Sequence, residues 1–178
     1  MISAVDSLET PAPGSEILSV VERLAGLRLA AQRRRYLGAT PQLPSRRSIL
    51  AMCDDLLGAI YPRHLGARDL DNGGLDRYVE QALQRAAAVL EREAALELSL
   101  AEQGATAAAV ASGAPADFAS QLIESLPGVR EMVDLDIRAS LAADPQQGSF
   151  DELVFCSPGV AAILRHRLAH EFYGLGPP

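Results

Sequence analysis

The sequence predicts an all-α fold, and three observations carry that prediction. Apolar residues recur at helical spacing through most of the chain. Ser and Pro start signals alternate with Gly and Pro stops along it. The hydrophobic share is 48%, yet aromatics make up only 4% and Trp is absent, so the core must be built from Leu, Ala, Val and Ile. Ala and Leu head the helix propensity scale. No alternating strand pattern of useful length and no internal repeat accompanies them.

The elements follow in order. Residues 1–14 read as a flexible tail closed by Pro11, Pro13 and Gly14. Ser15 is placed to cap a helix over 16–35, with Ile17, Val20, Val21, Leu24, Leu27 and Ala31 on one face. This makes 15–38 an N-terminal helical segment, and 39–178 the main helical domain. Gly38 and residues 40–44 form a linker. Ser45 caps a second helix with Ile49, Cys53, Leu56, Leu57 and Ile60 as its stripe, and Pro62 stops it.

Residues 63–74, ending in Asp71-Asn72-Gly73-Gly74, read as a loop. A long helix over 75–102 then carries Leu75, Tyr78, Val79, Ala82, Leu83, Ala86 and Leu90, and Gly104 ends it. The Ala105–Ser112 stretch suits a short helix. Pro115 suits the first turn of a helix over 116–126, which Pro127-Gly128 separates from another over 128–142. Ser149 and Glu152 have capping-box spacing ahead of Leu153, Val154 and Phe155. Ser157-Pro158 repeats the start signal for a last helix over 159–174, with Val160, Leu164, Leu168 and Phe172 on its stripe.

The net charge of −7 argues against binding a phosphate backbone. Arg33-Arg34-Arg35 reads as the basic end of a helix, where cations complement the dipole. The N-terminus lacks a basic and apolar leader, and no apolar run reaches the ~20 residues of a spanning helix. A cytoplasmic protein is the expectation. Cys53 and Cys156, unpaired and inside apolar helical patterns, are expected to be buried free thiols.

A few residues could carry chemistry. Pro145 disfavours the α region for Asp144, which should therefore sit in a turn where its carboxylate either bonds the local backbone or points at a ligand. Asp136 lies near the apolar stripe of its helix and could serve a ligand, but a structural role, pairing with an Arg or capping a neighbouring backbone, is favoured. His166 and His170, four apart on one face, form at most half of a metal site. Packing at a helix contact suits them better, and His64 has nothing to support it as a base. No P-loop, G-x-S-x-G or G-x-G-x-x-G is present. The residues themselves offer no catalytic group and no metal site.

The order of several motifs resembles the serine O-acetyltransferase family. They are Leu43-Pro44-Ser45-Arg46, the turn Ile60-Tyr61-Pro62-Arg63-His64-Leu65-Gly66, and Ser125-Leu126-Pro127-Gly128-Val129-Arg130. Asp136-Ile137 with Asp144-Pro145 follows, then Asp151-Glu152-Leu153-Val154-Phe155-Cys156-Ser157-Pro158-Gly159 and His166-Arg167-Leu168-Ala169-His170-Glu171. Roughly residues 40–176 keep the family's order and spacing. Two departures stand out: Asp144-Pro145 is flanked by Ala143 and Gln146, and Ser157 occupies a position where the family usually has Tyr.

The resemblance implies the helical N-terminal domain of such an enzyme, which transfers acetyl from acetyl-CoA to L-serine in cysteine biosynthesis. It implies a homo-oligomer, and acetyl-CoA as co-substrate with no tightly bound cofactor. It implies that Asp144 contacts the substrate serine. The family's catalytic His and Asp belong to a left-handed β-helix that has no counterpart in these 178 residues, so the chain alone is expected to be inactive. The alternatives are a stand-alone helical oligomerisation module and, more weakly, a metal-binding helical protein using His166 and His170.

Overall fold

A computed structural model describes residues 13–36, 40–67, 72–104 and 115–176. Most of the expected tail, Gly38, Asp71 and the Ala105–Ser112 helix lie outside these residues. All regular structure within them is helical, as expected. The contacts divide the chain into two units, Met1–Gln42 and Leu43–Pro178.

The first unit contains α1 (Pro13–Arg35). It begins at Pro13, so Ser15 stands inside the helix and not ahead of it. Proline's fixed φ suits a first helical turn, where its missing N–H costs nothing.

The second unit opens on α2 (Arg46–Ile60). Ser45 caps it by accepting the Ser48 N–H at 3.3 Å. Met52, Leu56, Leu57 and Ile60 are buried, whereas Ile49 is exposed, so the stripe is rotated slightly from the expected one. Pro62 both ends α2 and starts the short α3 (Pro62–Leu65), because Tyr61 before it must leave the α region. The expected loop therefore begins as a helical turn. Gly66 closes that turn where a Cβ would run into the Pro62 carbonyl oxygen and crowd the Tyr78 ring.

The long helix α4 (Asn72–Gly104) packs on α2 and on α5 (Pro115–Ala143). It presents Ala82, Ala86, Leu90 and Ala94 to the core. Their small side chains let neighbouring backbones approach.

A single α5 replaces the two helices expected on either side of Pro127-Gly128. The buried stripe Leu122, Leu126, Val129, Val133 and Ile137 runs through Pro127 without losing phase. Pro127 and Gly128 themselves face outward. A proline in a helix interior forfeits one backbone bond and costs roughly 3 kcal/mol. Here the continuous apolar face outweighs it.

Beyond α5, a 3-10 turn (Pro145–Gln147) leads to α6 (Phe150–Cys156) and α7 (Pro158–Gly174). Ser149 and Ser157 cap these two helices, accepting from Glu152 N at 3.2 Å and Val160 N at 3.4 Å. Leu164 and Leu168 of α7 complete the core against α5. Cys156 is exposed and not buried, because Leu153 and Val154 are the inward pair of α6 and Cys156 lies two residues past them. Its thiol bonds the Glu152 carbonyl at 3.0 Å.

Candidate functional site

The turn after α5 is shaped by Pro145. Asp144 leaves the helix at φ −143°, and its Oδ1 accepts the Gln146 N–H at 3.0 Å. This is an Asx turn on the exposed surface. An ionised carboxylate offers about four lone-pair sites, so most of its accepting capacity is still available to a cationic or hydroxyl donor. Ser140 donates to Gln147 Oε1 at 2.7 Å, tying the turn back onto α5. Gly148 follows at φ +110°, a conformation suited to glycine, with the Glu152 carboxylate lying where a Cβ would project.

Behind the turn is a small cleft of about 120 Å³. Asp136, Ser140, Gln147 and Ser157 supply polar atoms to it, and Ile137 and Leu153 part of its floor. Asp136 takes the structural role: Arg167 of α7 donates through both Nε and Nη2 to its Oδ2, at 2.9 and 2.6 Å. Asp144 does not line this cleft.

His64, on α3, lies 2.7 Å from Asp151 at the start of α6. Its ring also meets Tyr61 edge-on, with centroids 6.0 Å apart. His166 and His170 are exposed on α7 and share a groove of about 480 Å³ with Ser125, Met132, Arg167 and Glu171. No group of three or more metal-ligating side chains is gathered among the described residues.

One partly buried polar cluster of the second unit was not singled out by the sequence. Tyr61 is fully buried, and its hydroxyl donates to Asp134 Oδ1 at 2.6 Å. Arg130 donates to the same oxygen at 2.8 Å and to the Ile60 carbonyl at 2.5 Å, with its guanidinium 3.9 Å from the centre of the Tyr61 ring. Burial, then the bond to Asp134, pushes the phenol far above its ordinary pKa. The cluster joins the turn after α2 to α5. The available signal was Arg130 and Asp134 at i, i+4 on one helix, but their meeting with Tyr61 is a long-range contact.

A buried carboxylate belongs to α4. Glu93 accepts the Ser45 backbone N–H at 2.7 Å and an Arg92 N–H at 2.8 Å. The Ser45 bond and then Arg92 hold its carboxyl below the usual range. Cys53, half-buried on α2, has its thiol pushed up by burial and then by Asp54.

No protein-family model matches the chain. It is 33% identical, over 140 residues, to a plasmid serine acetyltransferase of Synechococcus elongatus; the match spans 76% of this chain and 44% of that relative. The chain is thus similar to part of a serine acetyltransferase, and it spans less than half the length of that relative. No helix among the described residues is long and apolar enough to cross a membrane.

Proposed function

We propose that these 178 residues are the helical part of a serine O-acetyltransferase, which moves acetyl from acetyl-CoA to the L-serine hydroxyl in the cytoplasm. The observation that carries this reading is the 33% identity over 140 residues. The helical part assembles copies of the enzyme and presents Asp144 to the substrate serine. It is inactive by itself. In support, Asp144 stands exposed at a turn, and its carboxylate has only the Gln146 N–H bonded to it among the described contacts.

Two measurements test this. The purified chain, given acetyl-CoA and L-serine, should release no free thiol above background, and turnover would overturn its inactivity. A chimera joining the chain to the remaining length of the Synechococcus relative should be active. In it, Asp144→Asn should raise KM for L-serine about tenfold, near 1.4 kcal/mol, with KM for acetyl-CoA unchanged. An unchanged serine KM would remove Asp144 from the substrate site.

A second reading, a stand-alone helical assembly module, is favoured by the apolar residues that α1 leaves exposed. Activity of the chimera would decide against it.

A further inference from the structure

The turn that carries Asp144 has the cleft of about 120 Å³ behind it, so this stretch does not rest on packed side chains there. Its regular structure is a single 3-10 turn, Pro145–Gln147, closed by the Gln147 N–H on the Asp144 carbonyl at 3.2 Å. Such turns have poorer hydrogen-bond geometry than an α-helix. Next comes Gly148 at φ +110°, the residue type with the widest choice of backbone conformation. A segment of this kind needs a tie from outside itself to hold one arrangement.

Ser140, in the last turn of α5, supplies that tie at two points. Its carbonyl accepts the Asp144 N–H at 3.0 Å, and its hydroxyl donates to Gln147 Oε1 at 2.7 Å. The first is a main-chain bond that most residues could make at position 140. The second belongs to the two side chains, and both line the cleft. The path from it to the carboxylate is short. Holding Gln147 fixes the 3-10 turn, and the turn fixes the Gln146 N–H, which holds Asp144 Oδ1 at 3.0 Å. A carboxylate anchored through one oxygen presents the other in a defined direction.

We propose that Ser140 and Gln147 are positioning residues, whose mutual bond aims the Asp144 carboxylate at its ligand. The proposal rests on the reading that Asp144 contacts the substrate serine, and adds what sets the direction of that contact. Neither Ser140 nor Gln147 touches the substrate. A neutral hydrogen bond near the surface is of modest strength, so losing it shifts serine affinity several-fold and does not abolish activity.

Amide exchange in the 178-residue chain, read by NMR, tests the clamp without turnover. Ser140→Ala and Gln147→Leu should each speed exchange of the Gln146 N–H about tenfold, with the Val133 and Leu164 N–H groups unmoved. Alanine is the better helix former, so loosening by Ser140→Ala cannot come from a weakened α5. Ser140→Thr, which restores a hydroxyl, should return the rate to wild type. In the chimera with the Synechococcus relative, either substitution should raise KM for L-serine about threefold and the double variant no further, with kcat and KM for acetyl-CoA unchanged. An unmoved Gln146 exchange rate would overturn the clamp and leave the Asp144 contact standing. Faster exchange with an unmoved serine KM would overturn the positioning role. Asp144→Asn in the same chimera separates the two failures, since its serine KM stays unchanged only if the contact itself is absent.

Discussion

The Glu93 carboxylate on α4 accepts the backbone N–H of Ser45, the residue that caps α2, across 48 positions of sequence. Two helices are thereby joined at the point where one of them starts. Ser45 uses its own side chain to satisfy the Ser48 N–H, and borrows a carboxylate for its main chain. This does the work of a capping box with the acid supplied from another helix.

Removing that acid should be felt. Glu93→Ala strands a poorly solvated backbone N–H and should lower stability by about 1–3 kcal/mol, read from urea midpoints at pH 7. The folded-state pKa of Glu93 is depressed. Its contribution is therefore present above the ordinary carboxylate pKa and lost as pH falls through the lowered value. Glu93→Gln should accordingly flatten the acid limb of the stability profile below about pH 4.5. An acid limb identical to wild type would refute the linkage.

Tyr61 titrates in the opposite sense. Its folded pKa is raised, so the stability it contributes is complete below about pH 10 and declines as pH climbs past the unfolded value. The chain has four tyrosines, and a phenolate absorbance titration of the folded protein should show one of them ionising only as the fold is lost. Tyr61→Phe keeps the ring beneath Arg130 but removes the donor to Asp134, and should cost roughly 1–2 kcal/mol. Tyr61→Ala should cost about 3–5 kcal/mol, since a large buried side chain leaves a cavity.

Gly66→Ala should destabilise the second unit by at least about 1 kcal/mol. The new methyl would meet backbone, the Pro62 carbonyl oxygen, which cannot swing aside as a side-chain tip can. Gly128→Ala, with open space around it, is the control and should be neutral or slightly stabilising. Equal melting temperatures for the two variants would contradict the steric account.

The Asp136–Arg167 pair is half-exposed, so its coupling should be small. A double-mutant cycle with Asp136→Ala and Arg167→Ala should give about 0.5–1 kcal/mol, falling in high salt. A larger, salt-independent value would mean that the pair organises more of the cleft behind the turn than its exposure suggests.

Local signals in the sequence held at three of the four serine caps, the exception being Ser15, which lies inside a helix that starts at Pro13. Ser45, Ser149 and Ser157 cap the helices they were assigned to, since a hydroxyl accepting an N–H three residues on needs nothing from the rest of the fold. The Asx turn at Asp144 followed from the proline after it. Pro127-Gly128 misled for the opposite reason: a local stop signal was overridden by an apolar stripe whose phase continues beneath it. Cys156 was misplaced because a seven-residue helix has too few turns to reveal which side faces in. The Tyr61, Arg130 and Asp134 cluster was illegible because its members meet only once α2 and α5 are packed. Of the site, Asp144's turn was readable, whereas the pairing of His64 with Asp151 and of Asp136 with Arg167 required the fold.

The alanines of α4 set a limit on how this domain can change. Because Ala82, Ala86 and Ala94 act as spacers, the distance between the helices on either side depends on side chains that cannot be trimmed usefully and cannot be enlarged cheaply. Substitutions should accumulate on the outer face of α4 and on its neighbours, while this inner row stays confined to very small residues. The helix with the least bulk is then the one with the least freedom to drift.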